Sequence, residues 1–125
     1  MAYRKAFEVP LEFIDKEELL QRMQEKSNFI IVDTIWTHND NRHRIKGAKT
    51  IPFPEVLDRR KELEPYDEII VYCTKRTCTG SKIIAIGLKL LDVPNVKVYE
   101  GGIMEWMENG LPVDEYADLR DPALS

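Results

Sequence analysis

Two cysteines five positions apart are the strongest candidates for covalent chemistry in this 125-residue sequence. They lie in a polar segment made of Cys73, Thr74, Lys75, Arg76, Thr77, Cys78, Thr79 and Gly80. A loop that turns from a strand back toward a helix start aims several backbone N–H groups at one point, and such a ring of donors binds anions. These amides, together with Lys75 and Arg76, favour the thiolate form of a cysteine. We therefore expect Cys73 to be a nucleophile that attacks an anionic substrate, rather than only a small buried hydrophobe.

Cys78 has three possible roles. It is a packing residue near the helix start, a resolving thiol, or itself the nucleophile. A loop of this length can bring the two Cα atoms within the roughly 4.4 to 6.8 Å that a disulfide requires. We hypothesise that Cys78 attacks a persulfide or sulfenate on Cys73 and forms a reversible disulfide.

The sequence around this segment alternates strand patterns with helix patterns. A capping box of Asp15 and Glu18 begins a helix that continues to about Lys26. We predict buried strands over 29–33, 68–72 and 96–99, and further helices over 54–63, 81–91 and 103–109. The helix over 81–91 is apolar on nearly every side, so we expect it to be buried. Residues 37–44 have the composition of a polar loop.

Alternating strands and helices predict an α/β fold, with a central, mostly parallel sheet covered by helices on both faces. Ligand sites in such sheets lie at the carboxyl ends of the strands. This rule points to Asp33, to Cys73 and to the segment Glu100-Gly101-Gly102. The composition, 43% hydrophobic and 32% charged, fits one domain over 1–125, with a core over about 11–113 and an acidic tail over 114–125.

Charge and hydropathy exclude several partners. The chain carries 22 acidic and 18 basic residues, a net charge of −4, so we expect no nucleic-acid binding. It lacks both the long apolar run of a membrane helix and the apolar N-terminal run of a signal peptide. We therefore expect a cytoplasmic protein with no membrane partner. His38 and His43 are read as residues of a solvated loop because a metal site needs more ligands, and Trp36 as a residue at the mouth of the pocket.

Three motifs resemble those of the single-domain rhodaneses. The segment from Gly101 to Val113 is similar to the family's GG-x3-W-x3-G-x-P ending, and the segment from Ile45 to Pro52 is similar to its HIxGA…IP motif. Val71-Tyr72-Cys73 leads into the loop as in that family. The resemblance covers about residues 11–113 and implies a rhodanese fold.

The resemblance also implies a sulfurtransferase. Cys73 would accept sulfane sulfur as a persulfide, from thiosulfate or a protein persulfide, and pass it to a thiol or to cyanide. The loop amides would hold the persulfide, and no metal or organic cofactor is required. We expect Gly101 and Gly102 to allow close backbone packing beside the loop, and Trp106 to lie in the core.

The sequence departs from the family pattern at three places. The loop reads C-x4-C-x-G-S rather than the common C-x-x-G-x-R, which leaves the substrate open. Arg44 stands where the family usually has His, and Ile35 where an Arg often occurs. Asp33 would therefore find another partner, Arg42 or Arg44.

Two other functions compete with sulfur transfer. A phosphatase or arsenate reductase needs an Arg six positions after its nucleophile to clamp a tetrahedral oxyanion. Those positions hold Thr79 and Ile84, and Arg76 has the wrong offset, so this function is less favoured. The remaining alternative is a non-catalytic or redox-regulatory binding module that uses Cys73 and Cys78.

Overall fold

The computed structural model describes residues 9–35 and 43–115, which form seven strands, three α-helices and two 3-10 helices. The strands are β1 (Glu12–Phe13), β2 (Phe29–Asp33), β3 (His43–Ile45), β4 (Lys49–Thr50), β5 (Glu68–Tyr72), β6 (Val96–Tyr99) and β7 (Val113–Glu115). The helices are α1 (Lys16–Glu25), α2 (Gly80–Leu90) and α3 (Gly102–Glu108), and the 3-10 helices span Phe53–Glu55 and Arg60–Leu63. No described helix is long and apolar enough to cross a membrane.

Five strands form a parallel sheet in the order β1-β6-β5-β2-β4. The strand that precedes Cys73, β5, is therefore central. Its register pairs Tyr72 with Asp33 on one side and with Tyr99 on the other. The carboxyl ends of β2, β5 and β6 consequently meet at one edge of the sheet, where α/β folds place their ligand sites.

The sheet buries both of its faces, because its strands carry apolar residues at successive positions. On β5, Ile69 and Val71 pack with α2 and the 3-10 helices, whereas Ile70 and Tyr72 pack with α1 and α3. This alternation follows from the two-residue period of a strand. The α/β prediction with helices on both faces is confirmed.

The Asp15 capping box is present in the structure. Glu18 N donates to Asp15 Oδ1 at 2.7 Å, and Asp15 N donates to Glu18 Oε1 at 3.1 Å. Gly110, which follows the C-cap of α3, has a left-handed φ of +66°. Trp106 is fully buried, and its Nε1 donates to the carbonyl oxygen of Pro112 at 2.6 Å.

Four local predictions are wrong. The predicted helix over 54–63 is two 3-10 segments, and α2 is buried on one face only, because Ile83 is 53% exposed. Residues 43 and 44, predicted as loop, belong to β3. Strand β7 pairs with β3 in an antiparallel ribbon, and it continues to Glu115, inside the segment 114–125 that is predicted to be an acidic tail outside the core. Strands β3 and β7 have three residues each, too few for a sequence pattern to reveal.

Candidate active site

Cys73 lies immediately after the central strand. The carbonyl oxygen of the preceding residue, Tyr72, accepts two hydrogen bonds from Thr34, from its amide at 3.2 Å and from its hydroxyl at 2.9 Å. Thr34 is itself 1% exposed and follows Asp33 at the end of β2. The position of Cys73 is thus fixed from the neighbouring strand as well as from its own.

The N-terminus of α3 fixes the next two peptide groups. The amides of Ile103 and Met104 donate to the carbonyl oxygens of Cys73 and Thr74, at 3.1 and 2.9 Å. Gly102 makes this approach possible, because its φ is +71° and a Cβ atom there would stand 2.7 Å from the oxygens of both carbonyls. At Gly101 a Cβ atom would instead meet the side chain of Glu105.

The loop from Cys73 to the start of α2 leaves most of its amides available. The amide of Cys78 donates to the carbonyl oxygen of Lys75 at 2.9 Å. Within residues 9–35 and 43–115, the amides of Thr74, Lys75, Arg76 and Thr77 donate to no other backbone group or side chain. The first amides of α2 follow and have no intrahelical acceptor either. These groups are the donors that an anion at this loop would engage.

The two loop cysteines are joined in a disulfide, with a Cα–Cα distance of 6.4 Å. The hydroxyl oxygen of Thr74 lies 3.9 Å from Cys73 Sγ. A Cβ atom at Gly80 would lie 3.7 Å from the same sulfur and 3.4 Å from the ring of Phe53, so α2 and the first 3-10 helix both approach Cys73. Nucleophilic chemistry at Cys73 requires this disulfide to be reduced first. The resolving role of Cys78 stays a prediction.

Arg76 is engaged by carboxylates. Its guanidinium contacts Glu100 at 2.9 Å and Glu105 at 3.5 Å, and Glu100 also receives Lys82 Nζ at 2.6 Å. The hydrogen bond from Lys82, supported by the charges of Lys82 and Arg76, lowers the pKa of Glu100. Two cations and two carboxylates therefore balance one another beside the loop, whereas Lys75 is exposed and forms no ion pair with the described residues.

A polar cleft of about 350 Å³ borders this ion-pair cluster. Arg76, Tyr99, Glu100 and Glu105 are among its lining residues, and Cys73 is not. Tyr99 Oη donates to Glu105 Oε1 at 2.7 Å. Burial, and then the hydrogen bond to the Glu105 carboxylate, raise the pKa of Tyr99, so its hydroxyl stays protonated. The cleft is therefore separate from the sulfur of Cys73.

The other predicted site residues are placed as follows. Asp33 is fully buried, and its Oδ1 accepts a hydrogen bond from the amide of Ile35 at 2.9 Å. Arg44 lies on β3, and its Nη1 donates to Thr50 Oγ1 at 2.5 Å. The predicted choice of Arg42 or Arg44 as the partner of Asp33 stays a prediction. Arg42, Trp36 and His38 lie outside the described residues, and His43 is half-buried on β3.

Sequence reasoning missed four residues that surround the loop: Thr34, Phe53, Lys82 and Glu105. Thr34 had a usable signal, since it follows a predicted buried strand at the edge where the site lies. Lys82 lies on α2 and Glu105 on α3. Their contacts depend on how α2 and α3 approach the sheet, which periodicity does not specify. Within the described ranges, no three His, Cys, Asp or Glu side chains are grouped to hold a metal ion.

The comparison with protein families identifies the chain. A family model for the rhodanese-like domain matches residues 15–109, which include strands β2 to β6 and all three α-helices. The chain belongs to the rhodanese family. Its five-stranded parallel sheet, with Cys73 after the central strand, is a rhodanese fold.

One relative and two solved structures illustrate the range of similar proteins. The chain is 33% identical over 110 residues to an HTH-type transcriptional regulator of Mycobacterium tuberculosis, Rv0324, covering 88% of this chain and 48% of that protein. The chain therefore spans about half the length of this relative. A thiosulfate sulfurtransferase from Pseudomonas aeruginosa superposes with a TM-score of 0.64 at 22% identity, over 83% of this chain and 20% of the other.

The second structure comes from Rhodopseudomonas palustris and is described as a protein of unknown function and a possible tyrosine phosphatase. It superposes with a TM-score of 0.71 at 17% identity, over 90% of this chain and 91% of the other. The same fold thus occurs in a sulfurtransferase and in a possible phosphatase. Function must be argued from the loop chemistry rather than from the fold.

Proposed function

We propose that this rhodanese domain is a sulfurtransferase that carries sulfane sulfur as a persulfide on Cys73. The observation that carries the proposal is the position of Cys73 after the central strand, in a loop whose amides from Thr74 to Thr77 are available to an anion. Hydrogen-bond donors fixed in this way stabilise a thiolate, and they stabilise the terminal sulfur of a persulfide by the same contacts.

The reaction begins with reduction of the disulfide, which frees the Cys73 thiolate. The thiolate attacks the sulfane sulfur of thiosulfate, and a new S–S bond forms as the bond to the sulfonate sulfur breaks. Sulfite leaves with that electron pair, and Cys73 keeps the sulfane sulfur as a persulfide. Lys75 is the cation available to attract the donor and the leaving anion, since Arg76 is neutralised by two carboxylates.

A thiol or cyanide then attacks the outer sulfur of the persulfide and restores the Cys73 thiolate. A protein persulfide can replace thiosulfate as the donor. This chemistry fits the cytoplasm, where thiols are kept reduced. It requires no metal or organic cofactor.

The proposal is tested by a single-turnover experiment. Reduced protein, freed of reductant, is mixed with thiosulfate, and released sulfite is measured. We expect one sulfite per protein from the wild type and none from Cys73→Ser. Thr77→Ser, a change in the same loop that leaves both thiols in place, is the matched control and should release sulfite like the wild type. Sulfite release by Cys73→Ser would contradict the assignment of Cys73.

A redox-regulatory module is the second candidate. It is favoured by the Cys73–Cys78 disulfide and by the similarity to a transcriptional regulator. Under this alternative the reduced protein releases no sulfite from thiosulfate and takes up no sulfur from a protein persulfide donor, yet its thiols oxidise readily to the disulfide. Phosphatase or arsenate reductase chemistry is less favoured, because Thr79 and Ile84 stand where its arginine would be needed.

A further inference from the structure

We propose that Cys78 is an internal acceptor thiol, which resolves the Cys73 persulfide and releases its outer sulfur as hydrogen sulfide. The inference deepens the proposed function and rests on it, because it requires a persulfide on Cys73. It assigns a product to the reaction, sulfide, that needs no external acceptor of sulfane sulfur. It also assigns a co-reactant, an external dithiol.

The loop geometry places Cys78 against the inner sulfur of that persulfide. The five-residue separation is closed by a turn in which Cys78 N donates to the carbonyl oxygen of Lys75, and the Cα atoms of Cys73 and Cys78 are 6.4 Å apart. This distance lies inside the range of about 4.4 to 6.8 Å that a disulfide requires. The two sulfurs are bonded in the structure, so Cys78 Sγ reaches Cys73 Sγ without any change in the surrounding strands and helices.

The two cysteines differ in how firmly the fold holds them. The carbonyl oxygen of Cys73 accepts the amide of Ile103, and the carbonyl oxygen before it accepts Thr34. Cys78 is flanked by the exposed residues Thr77 and Thr79. This contrast suits Cys73 as the fixed carrier of the persulfide and Cys78 as the attacking thiol, since only Cys78 must move as the disulfide forms.

The resolving step balances as follows. The Cys78 thiolate attacks Cys73 Sγ, the inner sulfur, and a Cys73–Cys78 disulfide forms. The bond between the two sulfurs of the persulfide breaks, and the outer sulfur leaves as hydrosulfide with the electron pair. Hydrosulfide is a good leaving group because exchange is faster when the departing thiol has a low pKa. The Cys78 sulfur is oxidised from thiol to disulfide, Cys73 Sγ stays at the disulfide level, and the sulfane sulfur is reduced to sulfide.

An external dithiol then reduces the disulfide and returns both cysteines to thiols. Over one cycle, thiosulfate and the dithiol are converted into sulfite, sulfide and an oxidised dithiol. Cys78 thereby converts a sulfur transferase into a reductase of sulfane sulfur. The disulfide in the structure corresponds to the state after sulfide release.

A single turnover of the full chain without added thiol tests the step. Reduced wild type and Cys78→Ser are each mixed with thiosulfate, and sulfite, sulfide and protein mass are measured. We expect wild type to release one sulfite and one sulfide, retain no extra sulfur and contain the Cys73–Cys78 disulfide in a peptide map. Cys78→Ser should release one sulfite, no sulfide, and retain one sulfur on Cys73. Dithiothreitol added afterwards should then release that sulfur as sulfide.

The outcomes separate this inference from the proposed function. Sulfite release by wild type with a retained persulfide and no sulfide overturns the role of Cys78 and leaves Cys73 as carrier. Equal sulfide release by wild type and Cys78→Ser overturns it as well. Absence of sulfite from both proteins counts against thiosulfate as the donor, and the reverse reaction then decides the inference.

In the reverse reaction, the oxidised wild type is treated with sulfide and alkylated. Hydrosulfide attack on the disulfide should place the added sulfur on Cys73 and free the Cys78 thiol, which is the resolving step run backwards. A peptide map with the added sulfur on Cys78 instead contradicts the assignment. This measurement uses sulfide and no donor of sulfane sulfur, so it does not depend on the first step of the proposed function.

Discussion

The backbone of Gly102 lies against the carbonyl oxygen of Cys73. A Cβ atom at Gly102 would stand 2.7 Å from that oxygen and equally close to the carbonyl group of Thr74. Real side chains essentially never approach backbone so closely, and neither partner is a flexible side chain. The position of Cys73 therefore depends on the left-handed conformation of Gly102 and on its lack of a side chain.

Replacing Gly102 by Ala should lower the free energy of unfolding by between about 2 and 5 kcal/mol, the sum of left-handed strain and steric overlap. Gly110→Ala is the matched control. Gly110 also has positive φ, but a Cβ atom there meets nothing within 4 Å, so strain alone should cost about 1 to 2 kcal/mol. Urea denaturation measures both values. Equal losses would show that Gly102 is needed only for its φ.

Lys75 and Arg76 should differ in their effect on thiosulfate turnover. Arg76 is held by Glu100 and Glu105, whereas Lys75 is exposed. Lys75→Met should raise KM for thiosulfate about fivefold at low ionic strength, since two charges about 4 Å apart in water interact by about 1 kcal/mol. Arg76→Met should raise it less. Steady-state kinetics at two salt concentrations check this, and a larger, salt-sensitive effect of Arg76→Met would contradict it.

The hydroxyl of Thr34 should stabilise the end of β5. Thr34→Val removes a buried donor to the carbonyl oxygen of Tyr72, and we expect a loss of about 1 to 3 kcal/mol in the free energy of unfolding. Thr34→Ser keeps the hydroxyl, and its free energy of unfolding should fall clearly less than that of Thr34→Val. Equilibrium unfolding of the two variants decides the point. If the Thr34→Ser variant is as unstable as the Thr34→Val variant, the hydrogen bond is not what stabilises the fold at this position.

Stability should fall in acid partly through Glu68. Burial alone would raise the pKa of this carboxyl group, but hydrogen bonds from Arg22 and Lys97 outweigh burial and lower it below its ordinary value of 4.5. A carboxylate with a lowered pKa in the folded state stabilises the fold above the unfolded pKa. That contribution is lost as the pH falls from about 4.5 through the lower, folded pKa.

The test compares wild type with Glu68→Gln by urea denaturation at about pH 7 and about pH 3. The wild type should be more stable at the higher pH, and the difference between the two proteins should shrink at the lower pH. Glu64→Gln, at an exposed position nearby, is the control and should change stability little at either pH. A constant difference between wild type and Glu68→Gln would contradict the linkage.

The main elements of the fold could be predicted from the sequence because their signals are local and strong. The apolar runs of β2, β5 and β6 indicate strands covered on both faces, and the Asp15 capping box indicates where α1 begins. The short strands β3 and β7 could not be predicted, since their pairing joins distant segments. The one-sided burial of α2 depends on which neighbours cover it, and composition does not specify them.

The candidate site, similarly, could be predicted only in part. Cys73 and its loop are marked by residue types and by the rule that sites lie at strand ends. The ion pairs of Arg76 with Glu100 and Glu105 link residues 24 and 29 positions apart. They assign Arg76 to holding the loop against β6 and α3, whereas the sequence suggested only a cation for the substrate.

The two strands of the antiparallel ribbon are synthesised far apart in time. Its strands β3 and β7 pair Ile45 with Val113, so β3 emerges from the ribosome long before its partner. The parallel sheet, and with it the cysteine loop, is already complete in sequence once β6 and α3 have been made. Because β7 follows every other described element, translation sets the order in which the parts can assemble: the sheet edge that carries Cys73 first, and the ribbon of β3 with β7 last.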